Sequence, residues 1–326
     1  MEGEERRIDE KTQEKYAHLI SILPKKKSWG RYLHMYHGFW YSSFVLNGIM
    51  SVQDNFKADP SDVLIASSPK SGTTWLKALV FALLNRNAVD QTSKQVMHSL
   101  NPHEYVPFLE VQLYAHSRLP DLDSLPPPRL LATHIPYSAL PESTRGDPSC
   151  RIVYISLDIK DVFVSFWHFL NDGRHDSHEP FLLEEAFESY SDGVSPYGPI
   201  WDHQSEYWKA SIERPQSVIF LKYEDMMEDP VNGVKRLAKF LGCPFSVEEE
   251  EGGVVDEIVK VCSFEYLKNL EVNKEGEIQF GKMKFMKWAF FHRGVVGDSK
   301  RYLTPEMIER LNMLSVRMTC SSGSSP

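Results

Sequence analysis

A short loop near residue 70 has the composition of an anion-binding site. An apolar run from Val63 to Ala66 precedes a Lys/Ser/Gly/Thr turn, and an apolar helical pattern follows from Trp75 to Leu84. In such a turn, backbone N–H groups close around phosphate oxygens and the helix start adds about half a positive charge. Lys70 adds a cation, and two threonines add hydroxyl donors. The segment predicts a site for a phosphate-bearing ligand, and an ordinary strand-to-helix turn is the alternative interpretation.

The order of residues in this loop differs from that of the common ATP- and GTP-binding loop. The Walker A motif, G-x-x-x-x-G-K-[ST], places its lysine directly after the second glycine. Here Lys70 precedes Gly72, and no glycine stands five residues before Gly72. We therefore do not expect a standard triphosphate cradle. A nucleotide kinase or other phosphotransferase remains an alternative that only the loop supports.

Composition limits the classes of protein that the chain can belong to. It has 326 residues, of which 42% are apolar, and its net charge is -9. This length and apolar content suit a single α/β domain with insertions. The negative charge argues against general affinity for nucleic acids, which depends on basic surfaces. The charged N-terminal residues and the lack of a long apolar run predict a cytoplasmic protein without a membrane segment.

The four cysteines show no metal-binding or disulfide pattern. Cys150, Cys243, Cys262 and Cys320 form no CxxC pair and have no regular spacing. Reduced structural thiols are therefore expected, without a bound metal.

Short apolar runs alternate with amphipathic patterns along the chain, which predicts a central parallel sheet flanked by helices. The strand-like runs are Val63–Ala66, Leu130–Thr133, Ile152–Ser156 and Val218–Leu221, and the helical patterns include Trp75–Leu84, Val162–Leu170, Trp201–Ile212 and Val231–Leu241. We divide the chain into a helical N-terminal segment packing on the core (1–60), one domain (61–315) and a disordered tail (316–326). The proline-rich stretch from His103 to Pro128 is expected to be a surface excursion.

Ligands of such sheets bind beyond the carboxyl ends of the strands, so residues that follow each strand are candidates for function. His134 follows the second run, and a proline stops that strand two residues later. An imidazole there is a candidate general base, because it accepts a proton near neutral pH. Tyr223 follows the fourth run, and Ser165 lies in the helix after the third. Arg293 and Gly294 form a further candidate phosphate loop, or only a turn.

Taken together, these segments resemble the cytosolic sulfotransferase family, most closely its plant branch. The resemblance covers nearly the whole chain. It rests on Pro69–Trp75, Ala132–Tyr137, Val153-Tyr154, Lys160–Ser165, Lys222–Met226, Cys262–Phe264 and Arg293–Asp298. The family implies a single α/β domain with a phosphosulfate-binding strand-loop-helix. It also implies transfer of a sulfuryl group, without a metal, from 3′-phosphoadenosine 5′-phosphosulfate (PAPS) to a hydroxyl of a small acceptor.

The resemblance also implies a role for each matching residue. His134 would accept the proton of the acceptor hydroxyl, and Lys70 would stabilise charge on the leaving phosphate. The loop from Ser71 to Thr74 would hold the 5′-phosphate. Trp75 and Phe264 would contact the adenine, and Tyr223 would help to fix the nucleotide. Ser165 and the loop at residues 292–294 would bind the 3′-phosphate. The implied donor-binding residues are Lys70, Ser71, Gly72, Thr73, Thr74, Trp75, Ser165, Tyr223, Phe264, His292, Arg293 and Gly294.

Two departures affect the implied 3′-phosphate site. The family carries arginine at both positions where this chain has Leu157 and His292. Leucine donates no hydrogen bond, and an unperturbed histidine is mostly neutral at pH 7. Arg293, Arg151 or Lys160 are possible substitutes. A sulfotransferase-fold binder of small molecules, impaired in catalysis, is therefore the alternative to an active sulfotransferase.

Aromatic residues predict the chemical class of the acceptor. Tyr137, Trp167, His168 and Phe169, together with aromatic residues before the anion loop, indicate a flat apolar pocket suited to phenolic or steroid-like alcohols. The plant members of the family accept flavonoids, brassinosteroids, hydroxyjasmonates and desulfoglucosinolates, so the resemblance does not choose among them. Pro305 interrupts the short dimerisation motif of animal relatives, and we expect a monomer.

Overall fold

The structure, a computed structural model, describes residues 7–86, 92–146, 149–173, 179–281 and 283–320. The strands are β1 (Lys25–Ser28), β2 (Arg31–Tyr36), β3 (Phe39–Ser42), β4 (Val63–Ser67), β5 (Leu130–Thr133), β6 (Arg151–Ser156), β7 (Val218–Lys222), β8 (Glu277–Phe280) and β9 (Met283–Met286). The α-helices are α1 (Glu10–Ile22), α2 (Ser43–Asn55), α3 (Thr73–Leu84), α4 (Thr92–Ser99), α5 (Pro102–Tyr105), α6 (Glu142–Gly146), α7 (Ile159–Asp172), α8 (Leu183–Ser191), α9 (Ile200–Glu213), α10 (Tyr223–Glu228), α11 (Pro230–Phe240), α12 (Val247–Glu251), α13 (Val254–Val261), α14 (Phe264–Asn269), α15 (Glu271–Lys274) and α16 (Pro305–Cys320). Shorter helical turns lie at Leu109–Leu113, Leu122–Ser124, Tyr137–Ala139, Lys287–Phe290 and Asp298–Arg301.

A four-stranded parallel sheet with the order β5-β4-β6-β7 forms the centre of the molecule. Val63 on β4 is aligned with Leu130 on β5 and with Arg151 on β6. Every residue of β4 is buried, because helices cover the sheet on both faces and nearly continuous apolar strands are stable only in that setting. The predicted α/β class and parallel sheet are confirmed, and each predicted strand run lies in this sheet.

The predicted helical patterns lie in α3, α7, α9 and α11. In a parallel sheet the carboxyl ends of all strands lie at one edge. Ser67, Thr133, Ser156 and Lys222 end the four strands at this edge, so the residues that follow them meet there.

The N-terminal segment differs from the prediction of a helical 1–60. Helices α1 and α2 are present, but residues 25–42 form an antiparallel sheet with the order β1-β2-β3. Its strands are joined by two-residue turns, Trp29-Gly30 and His37-Gly38, whose four residues all have positive φ. Helix α2 packs on the core through fully buried residues such as Leu46 and Ile49.

The stretch 103–128 is only partly a surface excursion. His103, Phe108 and Glu110 are buried, so the prediction is wrong for its first part. The predicted tail, 316–326, begins inside α16, which continues to Cys320, and residues 321–326 lie outside the described residues. Within the described ranges, no helix has both the length and the apolar character needed to span a membrane.

Candidate active site

The loop between β4 and α3 has a backbone that few residues adopt. Lys70 has φ +67° and Gly72 has φ +100°. A positive φ is unfavourable for a lysine, and such strain is concentrated at functional sites. At Gly72 a Cβ atom would lie 2.9 Å from Cδ2 of Tyr223. Glycine is therefore required there by both backbone conformation and space.

The start of α3 is open to a ligand. Its N-cap residue is Gly72, and no side chain caps the helix. The first N–H groups of a helix have no partner within the helix, so they are available to an anion. The Thr73 hydroxyl bonds that of Ser67 (2.5 Å), and Ser71 bonds Ser68 (2.6 Å). These two hydroxyl pairs fix the loop, and the backbone amides at the start of α3 remain as anion donors.

The loop opens on a cavity of about 220 Å³. The cavity is lined by His134 and by all but one of the donor-binding residues predicted from the sequence: Lys70, Gly72, Thr73, Thr74, Trp75, Ser165, Tyr223, Phe264, His292, Arg293 and Gly294. The exception is Ser71, whose side chain is fully buried and is not part of the lining. The structure thus brings the predicted residues together, and their individual roles remain predictions.

His134 is held with one ring nitrogen free for chemistry. It follows β5, and its Nδ1 lies 2.7 Å from the carbonyl oxygen of Ser67. A carbonyl oxygen only accepts, so Nδ1 carries the proton and Nε2 keeps its lone pair. Burial, with smaller contributions from the neighbouring Lys77 and Lys70, lowers the pKa of His134 to about 3. The ring is therefore neutral at pH 7, in the tautomer that a proton acceptor needs.

A buried polar network fixes the backbone of His134. Glu110 is fully buried and accepts hydrogen bonds from the His134 N–H (2.8 Å), the Thr133 hydroxyl (2.9 Å) and the Tyr197 hydroxyl (3.2 Å). Nε2 of His203 lies 2.9 Å from the His134 carbonyl oxygen and donates to it. Sequence reasoning missed Glu110, Tyr197 and His203 because their partners are distant in the chain and no local pattern marks them.

Lys70 extends over two aromatic rings that line the cavity, those of Phe169 and Phe290. Its Nζ lies 4.2 Å from the Phe169 ring centroid and donates to the Ala289 carbonyl oxygen at 3.4 Å. Burial lowers the pKa of Lys70 to about 7. A nearby anion restores the charged form, because opposite charge favours it.

The aromatic side of the cavity is closed by tight contacts. The Trp75 and Tyr223 rings meet edge to face at 5.6 Å. The Tyr223 hydroxyl donates to the Gly294 carbonyl oxygen (3.4 Å), and a Cβ on Gly294 would lie 2.5 Å from the Phe264 ring. The segment that contains Gly294 is anchored by buried Asp161, whose carboxylate accepts a hydrogen bond from the Gly297 N–H (2.6 Å). The backbone at Gly294 therefore lies close against the ring of Phe264.

The two positions that depart from the family both border the cavity. Leu157 presents an apolar side chain there. His292 stacks on His168 with ring centroids 4.3 Å apart, and its Nε2 has no hydrogen-bond partner within the described residues. Burial, then the neighbouring His168 and Lys70, lower the pKa of His292 to about 4. His292 is therefore neutral at pH 7 in the free protein.

Only one of the three proposed substitutes for the missing arginines lines this cavity. Arg293 does so, with its guanidinium 3.6 Å from Asp298. Lys160 instead pairs with Asp158 at 2.8 Å, and Arg151 starts β6, at the opposite end of the strand from the site.

One group of side chains has the spacing of metal ligands. In His168, Asp172 and His292, one ligand atom of each lies within 4.8 Å of the others. Nδ1 of His168 already bonds the Asp172 carboxylate (3.2 Å). The expectation of a metal-free reaction stays a prediction.

Most of the remaining cavity lining is apolar, as the sequence predicts, but the residues that provide it differ from the predicted ones. Of the four residues named for it, Phe169 lines the cavity, whereas Tyr137, Trp167 and His168 are not part of the lining. The Trp167 side chain instead donates to the Phe181 carbonyl oxygen (2.8 Å). The apolar lining includes Trp29, Val45, Phe108, Phe166, Phe280 and Phe290.

Comparisons with known proteins identify the family of this chain. The sulfotransferase domain family matches residues 60–318. Cytosolic sulfotransferase 5 of Arabidopsis thaliana is 44% identical over 310 residues, 94% of each chain, and Cytosolic sulfotransferase 14 is 42% identical over 99% of this chain and 92% of its own. The crystal structure of a candidate steroid sulphotransferase of Arabidopsis thaliana superposes with a TM-score of 0.75 at 36% identity, covering 98% of this chain and 99% of that one. The chain therefore belongs to the sulfotransferase family, among relatives named as plant cytosolic sulfotransferases.

Proposed function

We propose that this sulfotransferase moves a sulfuryl group from PAPS to a hydroxyl of a small acceptor with a phenolic or steroid-like body. One observation carries the proposal. An anion-binding loop and a neutral histidine with a free ring nitrogen open on the same cavity. This arrangement suits an anionic donor on one side and an acceptor hydroxyl on the other.

The residues present fit the 5′ part of this donor. The uncapped start of α3 and the strained Lys70 form an anion cradle, and a Cβ atom at Gly72 would collide with the ring of Tyr223 beside it. Trp75 and Phe264 line the same cavity and would contact the base. PAPS supplies the sulfuryl group when bound, and what remains is adenosine 3′,5′-bisphosphate.

Two side chains would carry the chemistry. Nε2 of His134 takes the proton of the acceptor hydroxyl while that oxygen bonds to sulfur and the bond between sulfur and the phosphate oxygen breaks. This proton transfer contributes about 10²–10⁴-fold in rate. Lys70, in its ammonium form, stabilises the charge that develops on the leaving phosphate oxygen. Positioning by the loop supplies much of the remainder.

The cavity lining supports an acceptor with an apolar body. Trp29, Phe108 and Phe166 line the cavity with flat rings, and the centroid of the Phe108 ring lies 4.6 Å from that of His134. Such a lining binds the apolar skeleton of the acceptor and leaves one acceptor hydroxyl free to bond His134. The Arabidopsis thaliana structure of a candidate steroid sulphotransferase supports a related acceptor class.

A catalytically impaired binder is the second candidate function. It is favoured by Leu157 and by the neutral His292, which leave Arg293 as the one proposed substitute that lines the cavity. We also propose that the functional domain spans residues 61–315 and that the protein works in the cytoplasm, as the names of its relatives indicate. A monomer stays our expectation.

Calorimetry with adenosine 3′,5′-bisphosphate, with ADP for comparison, tests the donor site first. Preferential binding of the bisphosphate, followed by sulfation of a phenol or sterol in the presence of PAPS, would support the enzyme. Binding of a phenol or sterol without binding of either nucleotide would support the binder and overturn the enzyme.

A further inference from the structure

A buried lysine lies beneath the anion loop and contacts a buried histidine. Lys77 on α3 is fully buried, and its Nζ lies 2.9 Å from Nδ1 of His103. The same Nζ donates to the Val106 carbonyl oxygen (2.8 Å) and lies 3.4 Å from the centroid of the Phe108 ring. A carbonyl oxygen accepts hydrogen bonds and an aromatic ring face attracts cations, so both contacts favour a proton-bearing Nζ. The lysine therefore serves as a hydrogen-bond donor in its surroundings.

The other ring nitrogen of His103 reaches the anion loop. Nε2 lies 3.0 Å from the hydroxyl oxygen of Thr74, a residue that lines the cavity. Burial, followed by the charge of Lys77, keeps the pKa of His103 well below its ordinary value. The ring is therefore neutral, so one nitrogen donates a proton and the other accepts one.

The direction of this chain of hydrogen bonds follows from its two ends. An ammonium at Lys77 has no lone pair, so it donates to Nδ1, and the proton of His103 must then be on Nε2. Burial lowers the pKa of Lys77 well below its ordinary value, while the negative charge of Glu110 opposes that shift. A neutral amine has a lone pair and would also accept from Nδ1–H, which reverses the chain. The Phe108 ring face and the charge of Glu110 favour the ammonium, and the ammonium leaves Nε2–H as the donor to Thr74.

We propose that Lys77 and His103 are positioning residues that turn the Thr74 hydroxyl proton toward the cavity, where it donates to the 5′-phosphate of the donor. The inference rests on the proposed function for the identity of that anion. A hydroxyl has one proton. If His103 instead accepted it, Thr74 would present only lone pairs to a phosphate, and the contact would be repulsive.

Nitrogen NMR of histidine-labelled protein tests the proton position without any ligand. The His103 signals are assigned by their loss in His103→Gln. We expect a protonated Nε2 and an unprotonated Nδ1 around neutral pH, and a mixture of tautomers in Lys77→Met, which keeps the volume of the side chain but has no donor. A protonated Nδ1 in the unmodified protein would overturn the proposal.

Calorimetry with adenosine 3′,5′-bisphosphate then tests the consequence for binding. We expect Thr74→Val to weaken binding about tenfold, as for loss of one hydrogen bond to a charged group. His103→Leu should weaken binding equally, and combining it with Thr74→Val should add nothing further. His103→Gln, which retains an amide donor near the Nε2 position, should recover much of the affinity.

Controls separate the inference from the proposed function. His98→Gln changes an exposed histidine that bonds Tyr266 and should leave binding unchanged. If the unmodified protein binds no bisphosphate, the proposed function fails, while the NMR result still reports the tautomer. Bisphosphate binding with fully additive losses for Thr74 and His103 would overturn the positioning role alone.

Discussion

Replacing His292 by arginine is expected to tighten binding of adenosine 3′,5′-bisphosphate at neutral pH. With a pKa of about 4, protonating His292 at pH 7 costs about 4 kcal/mol, and about half of that after screening by water at this partly exposed ring. The hydrogen bond that the protonated ring then makes to the phosphate stabilises the complex by only about 1.5–3 kcal/mol. The cost of protonation and the gain from this bond therefore nearly cancel. Arginine is always charged and has no protonation cost, so the full free energy of the hydrogen bond contributes to binding. This corresponds to about a ten- to hundredfold higher affinity.

Calorimetry on the unmodified protein, His292→Arg and His116→Arg measures this gain. His116 is exposed and is not part of the cavity lining, so its replacement controls for the added charge. If His292→Arg binds the bisphosphate no more tightly than the unmodified protein, the 3′-phosphate does not lie next to position 292. The reasoning that connects this histidine to donor affinity would then be refuted.

The pH dependence of binding provides a second check on His292. The bound phosphate favours the imidazolium form, so the complex holds more protons than the free protein and affinity rises as the pH falls. Lys70, with its pKa of about 7, also gains charge in this direction. Among the neighbours of His292, His168 and Lys70 lower its pKa, whereas Asp172 and Asp298 raise it. Lys70 is present in both proteins, so its contribution is the same in each. Affinity should therefore rise more steeply between pH 7 and pH 5 in the unmodified protein than in His292→Arg, and the difference reports the protonation of His292.

Three further changes test other parts of the structure. His134→Gln should lower turnover by about 10²–10⁴-fold with unchanged bisphosphate affinity, and equal turnover in a sulfation assay would end its role as proton acceptor. Gly72→Ala forces a side chain into φ +100° and against a tyrosine ring, so we expect weaker bisphosphate binding and about 1–3 kcal/mol less stability in urea. Asp62→Asn breaks the buried pair with Arg129, which has two hydrogen bonds of 2.7 Å, and should cost about 3–5 kcal/mol in urea unfolding. A loss below about 1 kcal/mol would mean that the pair behaves as an exposed one.

The central sheet was predictable because its strands are nearly continuous apolar runs bounded by turns. The N-terminal antiparallel sheet was missed, although its turns carry a signal. Trp29-Gly30 and His37-Gly38 are two-residue loops with positive φ at both positions, the geometry that favours tight hairpins. Three consecutive lysines in β1 gave no strand pattern, because this short strand exposes three of its four residues. The hairpins therefore depend on turn chemistry and on packing.

The candidate site was predictable where function depends on local sequence and not where it depends on distant partners. The loop at Lys70 and Gly72 is continuous in the chain, so its composition revealed it. Glu110 and His103 lie in a stretch whose prolines indicated surface. They are buried because their partners, such as Lys77, come from other elements and satisfy their polar atoms. A single sequence does not show such pairings.

The positions that depart from the family are separate from those that would carry the chemistry. His134, the proposed proton acceptor, and Lys70, the proposed leaving-group cation, follow the ends of β5 and β4. Leu157 follows β6, and His292 lies in a later loop. The 3′-phosphate does not change its charge or bonding during transfer, so contacts to it stabilise ground state and transition state alike. Losing them raises the KM for the donor and leaves kcat at saturating donor nearly unchanged. A donor KM restored by arginine at 157 and 292, with constant kcat, would show that affinity and chemistry are independent in this site. A parallel change in kcat would show that these positions also align the reacting atoms.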